Sequence, residues 1–97
     1  MPISPSTVVV IAKDVVACEL GDEAAMLNLA SGVYYGLDPV GARIWKYLES
    51  PVSVGEIRDR LLEAYDVEPE RCEADLVALI EKLAAEGLVE VRGEQAS

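Results

Sequence analysis

The side chains most able to do chemistry in this 97-residue chain are carboxylates. There are 18 Asp and Glu against 8 Lys and Arg, with two cysteines and no histidine. The densest run, Glu63, Asp66, Glu68, Glu70, Glu73 and Asp75, holds one base, Arg71. A calcium loop needs closer ligand spacing and a central glycine, and this run has neither. It reads as a solvated acidic face, or as a rim that draws in a basic ligand. The missing histidine removes the commonest general base and metal ligand, and with it any Ser-His-Asp or Cys-His arrangement. Cys18 and Cys72 form no CxxC pair, and no glycine-rich phosphate cradle is present. The expectation is a non-enzyme with no catalytic residue, no metal and no cofactor.

The formal net charge of −10 narrows the partners. A grip on nucleic acid needs Lys and Arg to displace counterions from phosphates, and anionic membrane surfaces make the same demand. No apolar run reaches the roughly 20 residues of a membrane span. The start, MPISPST, lacks the basic and apolar regions of a signal peptide. A cytoplasmic protein is expected, with both cysteines kept as thiols.

The apolar fraction of 52% can build one modest core, and Leu, Val, Ile and Ala must fill it around Trp45 and four tyrosines, since Phe is absent. Strand-like runs crowd into the first 37 residues: Thr7–Ala12, Val15–Leu20, Glu23–Ala30 and Val33–Leu37. Leu27 and Leu29 alternate with Met26 and Asn28 at period 2. Gly21-Asp22 and Ser31-Gly32 are turn signals. An antiparallel meander of three or four strands follows from this pattern.

Beyond Leu37 the period becomes 3.6. Asp38-Pro39 is a helix start, and the first helix should run to about Glu49 with Val40, Ile44, Trp45 and Leu48 buried. Ser53-x-x-Glu56 is a capping box for a second helix reaching about Tyr65, with Ile57, Leu61, Leu62 and Tyr65 inward. Pro69 opens a third helix that stops near Glu86, with Gly87 as a left-handed cap and Leu88 folding back. Leu88, Val89 and Val91 form a short extended tail, and fraying is expected from Gly93 to Ser97. The third helix carries a stripe of Cys72, Leu76, Leu79, Ile80 and Leu83, widened by Ala74, Val77, Ala78, Ala84 and Ala85. Such width fits a helix buried on two sides, or one wall of a groove.

Sheet followed by three helices is a winged helix-turn-helix-like α+β arrangement, which raises DNA binding as a first hypothesis. The third helix opens with Glu68, Glu70, Glu73 and Asp75, where a base reader needs Arg, Lys, Asn or Gln. The better hypothesis is peptide capture. Val33–Leu37 is short, apolar and runs straight into a helix, so it reads as a sheet edge able to accept another strand. Which of Tyr34 and Tyr35 would face a bound peptide is open, because a one-residue shift of register exchanges them.

The stretch LNLASGVYYGLDPVGARIW, followed by a capped helix, Val67, Asp75-Leu76 and Leu83-x-x-x-Gly87-Leu88-Val89, resembles the PqqD-like family, the RiPP recognition elements. The likeness covers roughly residues 7 to 91 within a single domain of residues 1–97. Tyr34-Tyr35 and Gly41-Ala42-Arg43-Ile44-Trp45 favour the free-standing leader-binding proteins of lasso-peptide clusters. The peptide chaperones of pyrroloquinoline quinone biosynthesis are the near alternative. The resemblance implies binding of a precursor's leader segment by strand addition, with a leader protease and a cyclase as partners. It places peptide contacts on Val33, Tyr34, Tyr35, Gly36 and Leu37 of the strand. On the helix it places them on Cys72, Asp75, Leu76, Leu79, Lys82 and Leu83.

Overall fold

The computed structural model describes residues 3–94. Its elements run β1 (Thr7–Ile11), β2 (Val15–Leu20), β3 (Glu23–Asn28), β4 (Val33–Leu37), α1 (Pro39–Tyr47), β5 (Val52–Ser53), α2 (Val54–Ala64), α3 (Pro69–Ala85) and β6 (Val89–Glu94). They make an α+β fold of winged helix-turn-helix type, with two three-stranded antiparallel sheets against three helices. Among the described residues no helix is long and apolar enough to cross a membrane.

The meander has three strands, in the order β2-β3-β4. The run from Thr7 does not join it. β1 lies between β5 and β6 in the other sheet, with Val9 opposite both Val52 and Val91. Lys13-Asp14 interrupts the β-branched run, and the chain resumes in a separate sheet. The tail that sequence alone gives as merely extended is a full strand. It runs through Gly93 and Glu94, where fraying was expected; residues 95–97 lie outside the described residues.

Period-2 alternation in β3 does not say which set of residues is inward. The core takes Met26 and Asn28, leaving Leu27 half-buried and Leu29 exposed. Asn28 earns its place through hydrogen bonds. Its Nδ2 donates to the carbonyls of Glu86 and Gly87, each at 3.2 Å, and its Oδ1 accepts from Ala30 N at 3.0 Å and Ser31 N at 3.3 Å. One side chain thus organises the β3–β4 turn and fastens it to the end of α3. That end is a Schellman motif: Leu88 N donates to Leu83 O at 2.9 Å and Gly87 N to Ala84 O at 3.0 Å, with Gly87 at φ +73°. A Cβ on Gly87 would stand 2.9 Å from Asn28 Nδ2, so both backbone conformation and proximity require glycine there. Asn28→Leu is expected to lower stability by about 2–3 kcal/mol, because two carbonyls and two amides lose their partner in a buried site. Urea melts of the two proteins check this.

α1 begins as its sequence indicates: Asp38 Oδ1 accepts from Gly41 N at 2.8 Å, and Pro39 occupies the first turn. It ends at Tyr47, short of Glu49, where the last turn tightens to i→i−3 bonds, Leu48 N to Trp45 O at 3.0 Å and Glu49 N to Lys46 O at 3.2 Å. Ile44, Trp45 and Leu48 are buried as expected. Val40 is not: it is 42% exposed, since the first turn of α1 overhangs a groove instead of packing on the sheet. α2 starts where Ser53 Oγ accepts from Glu56 N at 3.2 Å. Ile57 and Leu61 are buried, while Leu62 and Tyr65 are half-buried.

Candidate functional site

β4 is the last strand of its sheet, and no described strand occupies its outer flank. Which backbone groups face that flank follows from one hydrogen bond. Leu29 N donates to Asp14 O at 2.8 Å, so Leu29 points its amide toward the β2 side. In an extended strand successive residues point their N–H and C=O to alternate sides. Asn28, Met26 and Ala24 therefore face β4, where they are paired with Val33, Tyr35 and Leu37. Tyr34 and Gly36 are left with N–H and C=O directed outward. The edge offers four unpaired backbone groups at two residues.

Beside this edge lies a groove of about 630 Å3, within the range typical of ligand sites. Tyr35, Gly36 and Leu37 of β4 form one wall, and Cys72, Asp75, Leu76 and Leu79 of α3 form the other. Val40, Gly41 and Ile44 of α1 close one end. The structure places these seven residues of β4 and α3, all among those the resemblance assigns to peptide contacts, around one groove. It also separates the two tyrosines. Tyr35 is paired with fully buried Met26 and lines the groove, whereas Tyr34 is paired with Leu27 and is 74% exposed on the opposite face.

The remaining implied contacts lie elsewhere. Val33 is 40% exposed at the far end of the strand and does not line the groove. Lys82 is exposed and continues the Asp75–Leu79 line of α3 by one turn, beyond the groove. Leu83 is fully buried in the core. It lies one turn past Leu79 on the stripe, and the stripe dips inward there as α3 approaches its cap.

Eight lining residues were not singled out for the site from sequence, among them Val40, Tyr65, Val67 and Arg71. Val40 and Tyr65 were assigned to the core by helical period. Val67 carried a usable signal, being the one apolar residue in the loop Asp66-Val67-Glu68-Pro69. The Tyr65 ring is covered by the Arg43 guanidinium at 5.5 Å, and Arg60 covers Tyr47 at 5.4 Å. The first of these cation–π contacts braces Tyr65 in the groove wall, while Tyr47 lies outside the groove. Behind Tyr65 a second, more polar hollow of about 920 Å3 opens between the β2–β3 hairpin and α1, crossed by a Lys46–Glu19 ion pair at 3.3 Å.

The acidic run divides. Glu73 turns toward α2, where Arg58 meets it at 2.6 Å and also reaches Asp59 at 3.1 Å. Its bond to Glu73, then that to Asp59, raises the Arg58 guanidinium above its ordinary value. Of the six acids only Asp75 lines the groove, one turn after Arg71. The walls are otherwise mostly apolar. Burial pushes the Cys72 thiol up, and the Asp75 carboxylate adds to the shift, so Cys72 stays an uncharged part of the wall.

Two solved structures are similar to this chain. One is TbiB1 in complex with the TbiA(beta) leader peptide: 38% identity, TM-score 0.80, covering 84% of this chain and 94% of that one. The other, a lasso peptide synthetase B1 complexed with the leader peptide, shares the fold at 23% identity and TM-score 0.76, covering 84% and 96%. No curated protein matches the chain. The family model for coenzyme PQQ synthesis protein D (PqqD) matches residues 23–89, a stretch running from β3 into the start of β6. The chain therefore belongs to the PqqD family.

Proposed function

We propose that this protein binds the leader segment of a ribosomally made precursor peptide in lasso-peptide biosynthesis. The leader adds to β4 as an antiparallel fourth strand. The protein's part is then to hold the leader while a leader protease and a cyclase do the chemistry, in the cytoplasm where these components are made. The observation that carries this reading is the unpaired β4 edge lying directly beside an apolar groove. Its similarity to TbiB1, a structure that holds a leader peptide, supports it.

The energetics divide the work. Four backbone hydrogen bonds contribute roughly 2–6 kcal/mol in total. Association costs about 4–15 kcal/mol in lost freedom. Backbone pairing sets register, and side chains entering the groove must supply most of the affinity at ~25 cal/mol per Å² of apolar area. Antiparallel pairing also fixes direction. The peptide's N-terminal part lies over Leu37 and the groove mouth at α1, and its C-terminal part leaves past Val33.

Fluorescence polarisation with a labelled leader peptide tests the reading. Saturable binding is expected, displaced by unlabelled leader and not by a scrambled sequence of the same composition. Absence of binding at high micromolar protein would overturn it. A leader from a pyrroloquinoline quinone precursor serves as the comparison, and tighter binding of that peptide would move the protein to cofactor biosynthesis.

A further inference from the structure

The sheet that ends in β4 has a second open edge, β2. The hydrogen bond from Leu29 N to Asp14 O fixes the alternation here as well. Leu27, Ala25 and Glu23 turn their backbone groups toward β2, where they are paired with Val16, Cys18 and Leu20. Val15, Ala17 and Glu19 therefore direct their N–H and C=O groups outward. These three residues offer six backbone groups, two each, against four at β4. Among the described residues only Glu19 O has a contact, the Cys18 thiol at 3.8 Å. No described strand covers this edge, its sequence VVACEL holds no proline or lysine, and its register with β3 is unbroken. Proline, lysine and bulges are the devices that blunt an exposed edge, and β2 uses none of them.

Charge selects the occupant. Ala17 and Glu19 of this edge line the polar hollow of about 920 Å3 between β2 and α1. The hollow holds the acids Glu19, Asp22, Glu23 and Glu49 and the bases Arg43 and Lys46. Lys46 is tied to Glu19, and Arg43 lies over Tyr65. Among the described residues Asp22, Glu23 and Glu49 have no ion-pair partner. An extended segment carrying Lys or Arg satisfies these acids, whereas an acidic one is repelled. The inward-pointing Glu19 thus guards the edge against the wrong strand. A second copy is a wrong strand: it would carry the same acids to the seam, and a further net charge of −10. Position narrows the choice. Val15, Asn28 and Val33 are paired in one row, so β2 begins at the end of the sheet where a bound leader leaves past Val33. A strand added to β2 lies about 19 Å from one added to β4, four strand spacings away. Whatever it anchors stands beside the emerging peptide.

We propose that the β2 edge takes an extended, Lys- or Arg-bearing segment of the leader protease while β4 takes the leader. The two guests extend one sheet from opposite edges. This rests on the leader-binding reading above. The guest on β2 does not touch the leader, so this contact is made with the empty protein as well as the loaded one. What the arrangement supplies is proximity: a shared scaffold raises the concentration of enzyme and peptide for each other.

The test uses the full chain without leader and the purified leader protease from the same gene cluster, with binding followed by calorimetry. Ala17→Pro removes the central outward N–H of β2 and leaves the pairing with β3 in place. It is expected to weaken protease binding by roughly 30- to 150-fold, through one lost hydrogen bond and one orphaned carbonyl. Circular dichroism and affinity for a labelled leader should stay at wild-type values. Glu19→Lys keeps every backbone group and reverses the guarding charge, so it should weaken protease binding about 10-fold. It carries the test if the proline variant does not fold. Protease affinity that a folded variant leaves at the wild-type value overturns the proposal, and so does a wild type that does not bind the protease. A wild-type affinity that stays flat between about 50 and 500 mM salt removes the basic segment and overturns it too. A wild-type dimer in sedimentation that Ala17→Pro lacks assigns the edge to a second copy instead. Failure of the wild type to bind leader removes the underlying reading, and is seen separately in the polarisation arm, which contains no protease.

Discussion

Replacing Gly36 with proline is expected to weaken leader binding by roughly 30- to 150-fold while the far-ultraviolet circular dichroism stays native. The reason lies in the alternation of β4. Gly36 directs its N–H and C=O to the open flank, and its own sheet does not use them. Proline removes that donor and puts ring carbons where the incoming strand must lie. The peptide loses a hydrogen bond, and a carbonyl on its side is left without a partner, together about 2–3 kcal/mol. Proline at Tyr35 is a different experiment. That amide faces β3 opposite Met26, so the substitution breaks the sheet itself and should lower the melting temperature. If Gly36→Pro binds leader as the wild type does, strand addition at β4 is wrong.

Leu79→Asp should abolish measurable leader binding with little change in stability. Leu79 is half-buried and lines the groove from α3, so the unliganded protein can keep a carboxylate there partly in water. A bound peptide would cover it. Desolvating an unpaired carboxylate and losing the leucine contact together cost at least about 3 kcal/mol of binding. Leu76, three residues earlier, is 1% exposed and belongs to groove wall and core alike. The same change there should unfold the protein. Polarisation with labelled leader and a thermal melt, run on both variants, separate the two cases. Native-like affinity in Leu79→Asp would remove the α3 wall from the site.

The helices and the site's edge strand were legible because their signals are local. Asp38-Pro39, Ser53-x-x-Glu56 and Gly87 each name a helix end, and the structure places those ends there. What sequence could not settle depends on long-range partners. A β-branched run such as Thr7–Ile11 does not say which strand it will join, and its partners lie more than 40 residues away. The inward face of β3 was equally hidden, because Asn28 is buried by the α3 cap it fastens and not by its own hydropathy. The groove suffered in the same way. Val40 and Tyr65 satisfy a helical stripe and still line the groove, since period finds the covered side of a helix without finding where the cover stops.

The pairing of Thr7 with Glu94 brings the two ends of the domain to one point, in the sheet that does not contain β4. A chain that enters and leaves side by side can be spliced into a loop of another protein without stretching either. This makes the domain a portable cassette. Grafted into an enzyme that has no means of choosing its peptide, it should bring its own selectivity, since the seam lies in the sheet that β4 does not belong to.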